Sequence, residues 1–449
     1  MLKDQPWIHL APHMREEYEQ CLLEGLPVES FKDRILEVIQ SRDEAAARAL
    51  CDEMHKMAPK GPKDGYPFVE PSDYALIVRE SPRVKADKKR PADSEMLKKL
   101  EGAWLGRIAG CLLGKPTEGW LRDFVYPLLK ATDNYPMHKY IQKRDFPDEY
   151  RKMEEDIRHF MHARCYADLC GGISPADDDT SYTVLGMKIV ECYGKHFSSD
   201  DVLEAWLSWV PFLNVCTAER VAYQNASAGL LAPETATHYN PYREWIGAQI
   251  RADFFGYVNP GSPARAAEMA YRDAAISHTK NGIYGEMFAA ACIAAAATAE
   301  TVDEIIEAGL DVIPGACRLR RDIELVRQWH REGIPFEGIV DRIHEAYPPT
   351  APAGWVYTNP NTMIVTSALL YGEGLFGKSI CLAVQACYDT DCNGATVGSV
   401  MGMFLGKDGV GPEWIEPFQG KCWTNISGYY LIDAKDMAQK TLKLINDGQ

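Results

Sequence analysis

GAWLGRIAGCLLG, residues 102–114, and GATVGSVMGMFLG, residues 394–406, decide the fold. Glycine recurs at every fourth position: Gly102, Gly106, Gly110 and Gly114 in the first stretch, Gly394, Gly398, Gly402 and Gly406 in the second. An i, i+4 repeat puts these residues on one face of a helix, where each glycine costs about 1 kcal/mol relative to alanine. Four on one face need a compensating use. Smooth stripes that let another helix approach closely supply one. A phosphate-cradling loop is the sharper alternative, but neither stretch contains GxxxxGK[ST] or GxGxxG.

Helix signals continue outward from the stripes. Thr301-Val302-Asp303-Glu304 forms a capping box before Ile305-Ile306, and Ser199-Asp200-Asp201 precedes Val202-Leu203. Residues 287–297 are all small or apolar, the mark of a helix buried on most sides. Alternating β-type runs are scarce, so residues 93–449 are expected to form one all-α domain with long loops at 233–263 and 347–360. Residues 1–60 also look helical, with Tyr18, Cys21, Leu22, Leu26, Phe31, Ile35, Val38 and Ile39 at turn-like spacings. Residues 58–94 hold Pro59, Pro62, Pro67, Pro71, Pro82 and Pro91 with Lys85, Lys88, Lys89 and Arg90, which suits a connector. The division is therefore 1–92, a helical extension with its connector, and 93–449. The amphipathic extension is expected to dock on the larger domain, cover its mouth or mediate an oligomer.

Composition narrows the function classes. The 449 residues are 46% hydrophobic and 25% charged, ordinary globular usage. No run reaches the roughly 18 apolar residues of a membrane span, and Met1-Leu2-Lys3-Asp4-Gln5-Pro6 lacks a signal-peptide core, so a soluble cytoplasmic protein is expected, with no membrane partner. A net charge of −16 disfavours broad nucleic-acid binding, and no aromatic residue is interleaved with the basic run. Thirteen cysteines without a CxxC pair point to buried thiols rather than disulfides or zinc.

Chemistry concentrates in two acidic clusters about 210 residues apart, Asp177-Asp178-Asp179-Thr180 and Asp389-Thr390-Asp391-Cys392, each ending a loop where a helix begins. Alone, either reads as helix capping. Together they offer five carboxylates, the hard ligands of Mg²⁺, Mn²⁺ or Ca²⁺.

Three elements now stand in order: a glycine-striped helix ending in Gly114-Lys115-Pro116-Thr117-Glu118, then ADDDTSYT, then YDTDCNGATVGSVMG. In order and local pattern this resembles the ADP-ribosylglycohydrolase family over roughly residues 96–420. Its members look like GxxxGxxxGxxxGxPxE, [ST]DDT and DTD[TS]xxAxxGxxxGxxxG. His278 and the stretch Gly282-Ile283-Tyr284-Gly285-Glu286-Met287 resemble the family's central region. The resemblance implies an all-α fold, two Mg²⁺ or Mn²⁺ ions, and hydrolysis of an N- or O-glycosidic bond to ribose in an ADP-ribosyl conjugate or smaller nucleoside-like substrate. It makes Asp178, Asp179, Asp389 and Asp391 the metal ligands. Asp177 and Cys392 stand where the family has hydroxyl residues and join them as candidates, and Cys111 stands where many members carry Asp. Glu118 matches the glutamate that closes the first motif; it and Asp179 are the candidate catalytic residues. Two alternatives keep the fold: a nucleotide phosphohydrolase, distinguished by phosphate release, and an inactive ligand-binding scaffold.

Lesser candidates follow. His159 and His162 are i, i+3 but lack partners for zinc. Tyr239, Tyr242, Trp245, Phe254, Phe255 and Tyr257 suit packing, or in part a face for a flat base. Asp253, Asn259, His278 and Tyr284 are the candidate substrate contacts.

Overall fold

The computed structural model describes residues 5–58, 62–82, 85–151, 165–352 and 354–447. Its centre is the meeting of the two glycine stripes. Helix Asp93–Gly114 runs antiparallel to helix Thr390–Leu405, and a β-carbon added at Gly102, Gly106, Gly110 or Gly114 would overlap the backbone of Gly402, Gly398, Gly394 or Thr390. The absent side chains let two backbones touch. Gly406 is the exception, ending its helix at φ +74°, a conformation that favours glycine.

This register brings together motifs far apart in the chain. The end of the first helix abuts the start of the second, where the Thr390 hydroxyl donates to the Gly114 carbonyl at 2.8 Å across 276 residues of sequence. Thr117 donates to the same carbonyl at 3.2 Å. Lys115 to Glu118 thus leave the first helix beside Asp389 and Asp391.

Helix Lys280–Ala296 is buried along nearly its whole length, as its small apolar composition requires, and packs against helices Pro263–Ala274, Val302–Asp311 and Thr390–Leu405. Among the described residues the only sheet is an antiparallel pair, Lys421–Trp423 with Leu431–Asp433. Three-residue strands are too short for alternation to reveal them. The hairpin matters to the site because Ser174 bonds Lys421 and Trp423 through its backbone at 2.9 Å each, anchoring the loop before Asp177.

Three local expectations shift. Thr301 accepts from the Glu304 amide, but the Glu304 carboxylate turns to the Glu300 amide instead of completing the box. The full box lies one residue before the expected Ser199 start: Ser198, extended at φ −96° and ψ 167°, exchanges bonds with Asp201. Stretch 233–263 is also less loop-like than expected, broken by the short helices Glu234–Thr237, Gln249–Arg251 and Asp253–Tyr257. Its aromatic residues Tyr242, Trp245, Phe254, Phe255 and Tyr257 are all buried in the core. No helix of the described residues is long and apolar enough to cross a membrane.

Helices Met14–Leu23, Lys32–Ser41 and Glu44–His55 of the extension close a small core around Met14, Val28, Leu50 and Met54. Their contact with the rest of the chain is strongly ionic. Arg243 meets Glu17 and Glu24 at 2.8 Å each and Lys280 meets Glu24 at 2.5 Å, while Glu70, farther along the chain, meets Arg318 at 2.7 Å. Glu17 also bonds His55 at 2.7 Å, and His55 in turn touches Cys51 Sγ at 3.8 Å, so hydrogen bonding accounts for this group. Along the connector, Lys85 and Lys88 pair with Glu307 and Glu304 at 2.9 Å. Removing one partner of a buried pair leaves the other charge stranded, at roughly 3 kcal/mol. Arg243→Ala is therefore expected to lower stability by about that amount, read from the urea midpoint. An unchanged midpoint would show that these pairs do not hold the extension down.

Candidate active site

Helix Asp178–Tyr193 starts at the corner where the striped helices meet, and the sequence explains its entry. Asp177 is extended at φ −144° and ψ 153°, and its Oδ1 caps the helix by accepting from the Asp179 amide at 3.1 Å. Capping and chemistry therefore coexist at Asp177. Asp389 occupies the cap position of helix Thr390–Leu405 but makes no side-chain cap bond, so its carboxylate is not spent on capping.

Asp179 is held from behind. Arg107, on the first striped helix, donates to the Asp179 carbonyl at 2.8 Å and its Oδ1 at 3.0 Å, to the Ile250 carbonyl at 2.7 Å, and faces Asp253 at 3.2 Å. All three charged side chains are wholly buried. Arg107 thus positions Asp179 while leaving its Oδ2 without a hydrogen-bond partner.

Lys115 stands in front of the cluster. Its ammonium lies 2.7 Å from Glu118 Oε2, 2.8 Å from Asp177 Oδ2 and 2.9 Å from Asp391 Oδ2. An ammonium has three N–H donors, and here each faces a carboxylate. Lys115 and Glu118 are the open members, with 22% and 30% of their side chains exposed, whereas Asp177 and Asp391 are buried.

Proton affinities reflect crowded negative charge. Burial, followed by the charge of Asp177, raises Asp178 well above the usual carboxylate range. Asp179 is raised by burial and by Asp391 despite Arg107, and Asp389 by burial, Asp391 and Glu118. Burial would also raise Asp177, but Lys115 outweighs it and lowers that carboxyl. Burial and then Asp391 push Glu118 up to about 7, against the pull of Lys115. Burial and neighbouring carboxylates also raise the thiols of Cys111 and Cys392, keeping both protonated.

Such a cluster fits a hard cation. The buried oxygens Asp179 Oδ2 and Asp389 Oδ1 have no hydrogen-bond partner. Ligand atoms within 4.8 Å of one another come from Glu118, Asp389 and Asp391, from Asp179, Asp391 and Cys392, and from Cys111, Asp177 and Asp179. The donors are mainly oxygen, and Asp391 belongs to two of the three groups.

The structure thus gathers Glu118, Asp177, Asp178, Asp179, Asp389, Asp391 and Cys392. The four substrate-contact candidates separate from them. Asp253 lies behind Arg107. Asn259 donates to the Phe255 carbonyl at 2.9 Å, His278 Nδ1 bonds Ser277 Oγ at 2.8 Å, and the Tyr284 hydroxyl donates to the Pro71 carbonyl. His159 and His162 lie outside the described residues. Lys115 and Arg107 escaped the sequence reading although both carried signals: Lys115 lies inside the first motif, and Arg107 is the single charge between Gly102 and Gly114. Asn361, which accepts from the Asp389 amide at 3.3 Å and donates to the Trp355 carbonyl at 3.0 Å, had none. Trp355 packs beside Gly119, where an added β-carbon would lie 3.5 Å from its ring.

His278 gives a pH test of the core around the site. Burial and then Arg251 hold its imidazole well below the ordinary value. On acidification below about pH 6.5 the unfolded chain takes up a proton that the folded chain refuses, so this contribution falls as pH falls. Raised carboxylates act in the opposite sense. The test is therefore a difference: between pH 7 and 5 wild type should lose more melting temperature than His278→Asn, and parallel curves would contradict it.

The fold and site define a class first: an all-α protein whose paired glycine-striped helices bring acidic motifs from three parts of the chain to one corner. A family model described as ADP-ribosylglycohydrolase matches residues 92–444, and the chain belongs to that family. A solved chain described as "ADP-ribosylglycohydrolase-related protein complex" superposes with a TM-score of 0.50 at 18% identity, covering 79% of this chain and 100% of that one. At that identity the likeness concerns the fold. No curated protein matches. Family membership and the carboxylate groups together support a metal-dependent hydrolase of the ADP-ribosylglycohydrolase superfamily.

Proposed function

We propose that the protein is a divalent-cation-dependent glycosidase that cleaves an N- or O-glycosidic bond to ribose, in an ADP-ribosyl conjugate or a smaller ribosyl or nucleoside-like substrate. The observation that carries this reading is the pair of buried, unpartnered oxygens on Asp179 and Asp389, set among further carboxylates below the more open Glu118.

Cleaving a ribosyl bond builds positive charge at the anomeric carbon, which an anionic surround stabilises. The aspartates of both clusters supply it. Glu118, with a carboxyl near 7, exists in both protonation states at neutral pH and suits a general acid/base that serves the attacking water or the leaving group. Lys115 holds that carboxyl in place through Oε2. Mg²⁺ or Mn²⁺ held by Asp179, Asp389 and Asp391, with Asp178 beside them, would orient ribose hydroxyls and acidify a bound water. Asp177 is committed to its cap bond and to Lys115, and the protonated Cys392 thiol is a poor ligand for a hard ion.

The test is product analysis by mass spectrometry on a panel of ADP-ribosyl conjugates, ADP-ribose derivatives and nucleosides, with Mg²⁺ or Mn²⁺ and with Asp389→Asn as control. Release of ribose or ADP-ribose that disappears in Asp389→Asn is expected. Phosphate release would make the protein a phosphohydrolase. Silence across the panel with cation bound would leave a binding role.

A further inference from the structure

Resting on the metal-dependent reading above, we infer that Lys115 is a built-in cation: its ammonium fills the place of one divalent ion, so the site binds one such ion rather than two. The geometry is that of a cation seat already taken. Three oxygens from three separate chain segments, Glu118 Oε2, Asp177 Oδ2 and Asp391 Oδ2, converge on Nζ at 2.7, 2.8 and 2.9 Å. Each N–H has its own acceptor, so the lysine neither lacks a partner nor has a donor to spare for a fourth. A divalent ion bound by these oxygens would require shorter distances, about 2.0 to 2.1 Å for Mg²⁺, at a point the ammonium occupies.

Removing those oxygens from the ligand pool decides what remains. The group Glu118, Asp389 and Asp391 loses one oxygen each from Glu118 and Asp391, and the group Cys111, Asp177 and Asp179 loses Asp177 Oδ2 while Asp177 Oδ1 is spent on the cap. Asp179 Oδ2 and Asp389 Oδ1 are left, both buried and both without a partner; Asp391, common to their two groups, keeps only Oδ1, which also accepts from the Cys392 amide at 3.1 Å and has a second lone pair for a cation. That is one seat. Arg107 cannot serve as a second internal cation there, because its donors are engaged by Asp179 Oδ1, main-chain carbonyls and Thr396 behind the site. The placement also has a structural logic, since a lysine that leaves the first striped helix at its last turn ties the other two acidic motifs to it.

Metal stoichiometry tests this without reference to turnover. Full-length protein is stripped with chelator, dialysed against Mn²⁺, and analysed for Mn per chain by mass spectrometry and for electron paramagnetic resonance. Wild type is expected to bind one Mn²⁺ with the spectrum of an isolated ion, Lys115→Arg to remain at one, and Lys115→Gln to bind a second ion with the broadening of a coupled pair. Two ions in wild type would overturn the inference, as would a folded Lys115→Gln that stays at one. If Lys115→Gln does not fold, the wild-type count decides by itself. No ion in wild type would remove both the inference and the metal-dependent reading, whereas two ions would remove the inference alone.

Discussion

Gly110→Ala is expected to leave little folded protein. Its new β-carbon would overlap the Gly394 carbonyl group, and the obstacle is backbone on both sides. No rotamer change can relieve it. The helices would have to separate along their length, lifting Gly114 from Thr390 and pulling the first acidic motif from the third. Overpacking of a core usually costs 1 to 3 kcal/mol when side chains can adjust, and a rigid backbone contact should exceed that, at about 4 kcal/mol or more. A typical domain has only about 5 to 15 kcal/mol in total. Gly315→Ala is the control, because its β-carbon would meet nothing closer than 3.5 Å and its φ is not left-handed. The measurement is urea unfolding of the soluble fraction. Midpoints for the two variants agreeing within the equivalent of about 1 kcal/mol would contradict close backbone packing as the stripe's purpose.

That packing is also the part of the fold most legible in the sequence. A four-residue glycine repeat has few other uses in a helix, so close approach by another helix was readable, whereas the pairing of the two stripes with each other comes from the structure. The acidic clusters were legible as carboxylates at helix starts, and their convergence was expected from the family resemblance; spacing alone could not give it, because it depends on an antiparallel register that places Gly114 against Thr390. Lys115 shows the limit most clearly. A lysine at a helix end ordinarily extends into water, and nothing in its neighbours Gly114 and Pro116 says that it folds back onto three acids. The substrate-contact candidates fail to join the cluster for a related reason. Asp253 looked available because it sits among glycines and aromatics, yet Arg107, nearly 150 residues earlier in the chain, takes it into the core. The hydrogen bond from the Asp389 amide to Asn361 Oδ1, across 28 residues of sequence, is likewise a tertiary contact with no local pattern.

Glu118→Gln should reduce kcat by about 10²- to 10⁴-fold, the range for removing a general acid or base, while leaving the fold intact. Stability should hold because the side chain is 30% exposed and Gln keeps its shape, and because Lys115 retains Asp177 and Asp391 as partners. Asp389→Asn should differ in kind: it removes charge from a buried, unpartnered ligand oxygen and should lower cation affinity along with rate. Measuring Mn²⁺ binding beside kcat separates the two cases. A leaving-group comparison then divides the roles open to Glu118. If the carboxyl protonates the departing group, a ribosyl substrate whose leaving group departs as a stable anion, such as p-nitrophenolate, should retain most of its rate in Glu118→Gln. If it instead serves the attacking water, good and poor leaving groups should lose rate alike. A variant within about fivefold of wild type on both substrates would take Glu118 out of the chemistry and leave it as a partner that fixes the Lys115 ammonium; such a loss amounts to about 1 kcal/mol of barrier, too little for a group that moves a proton.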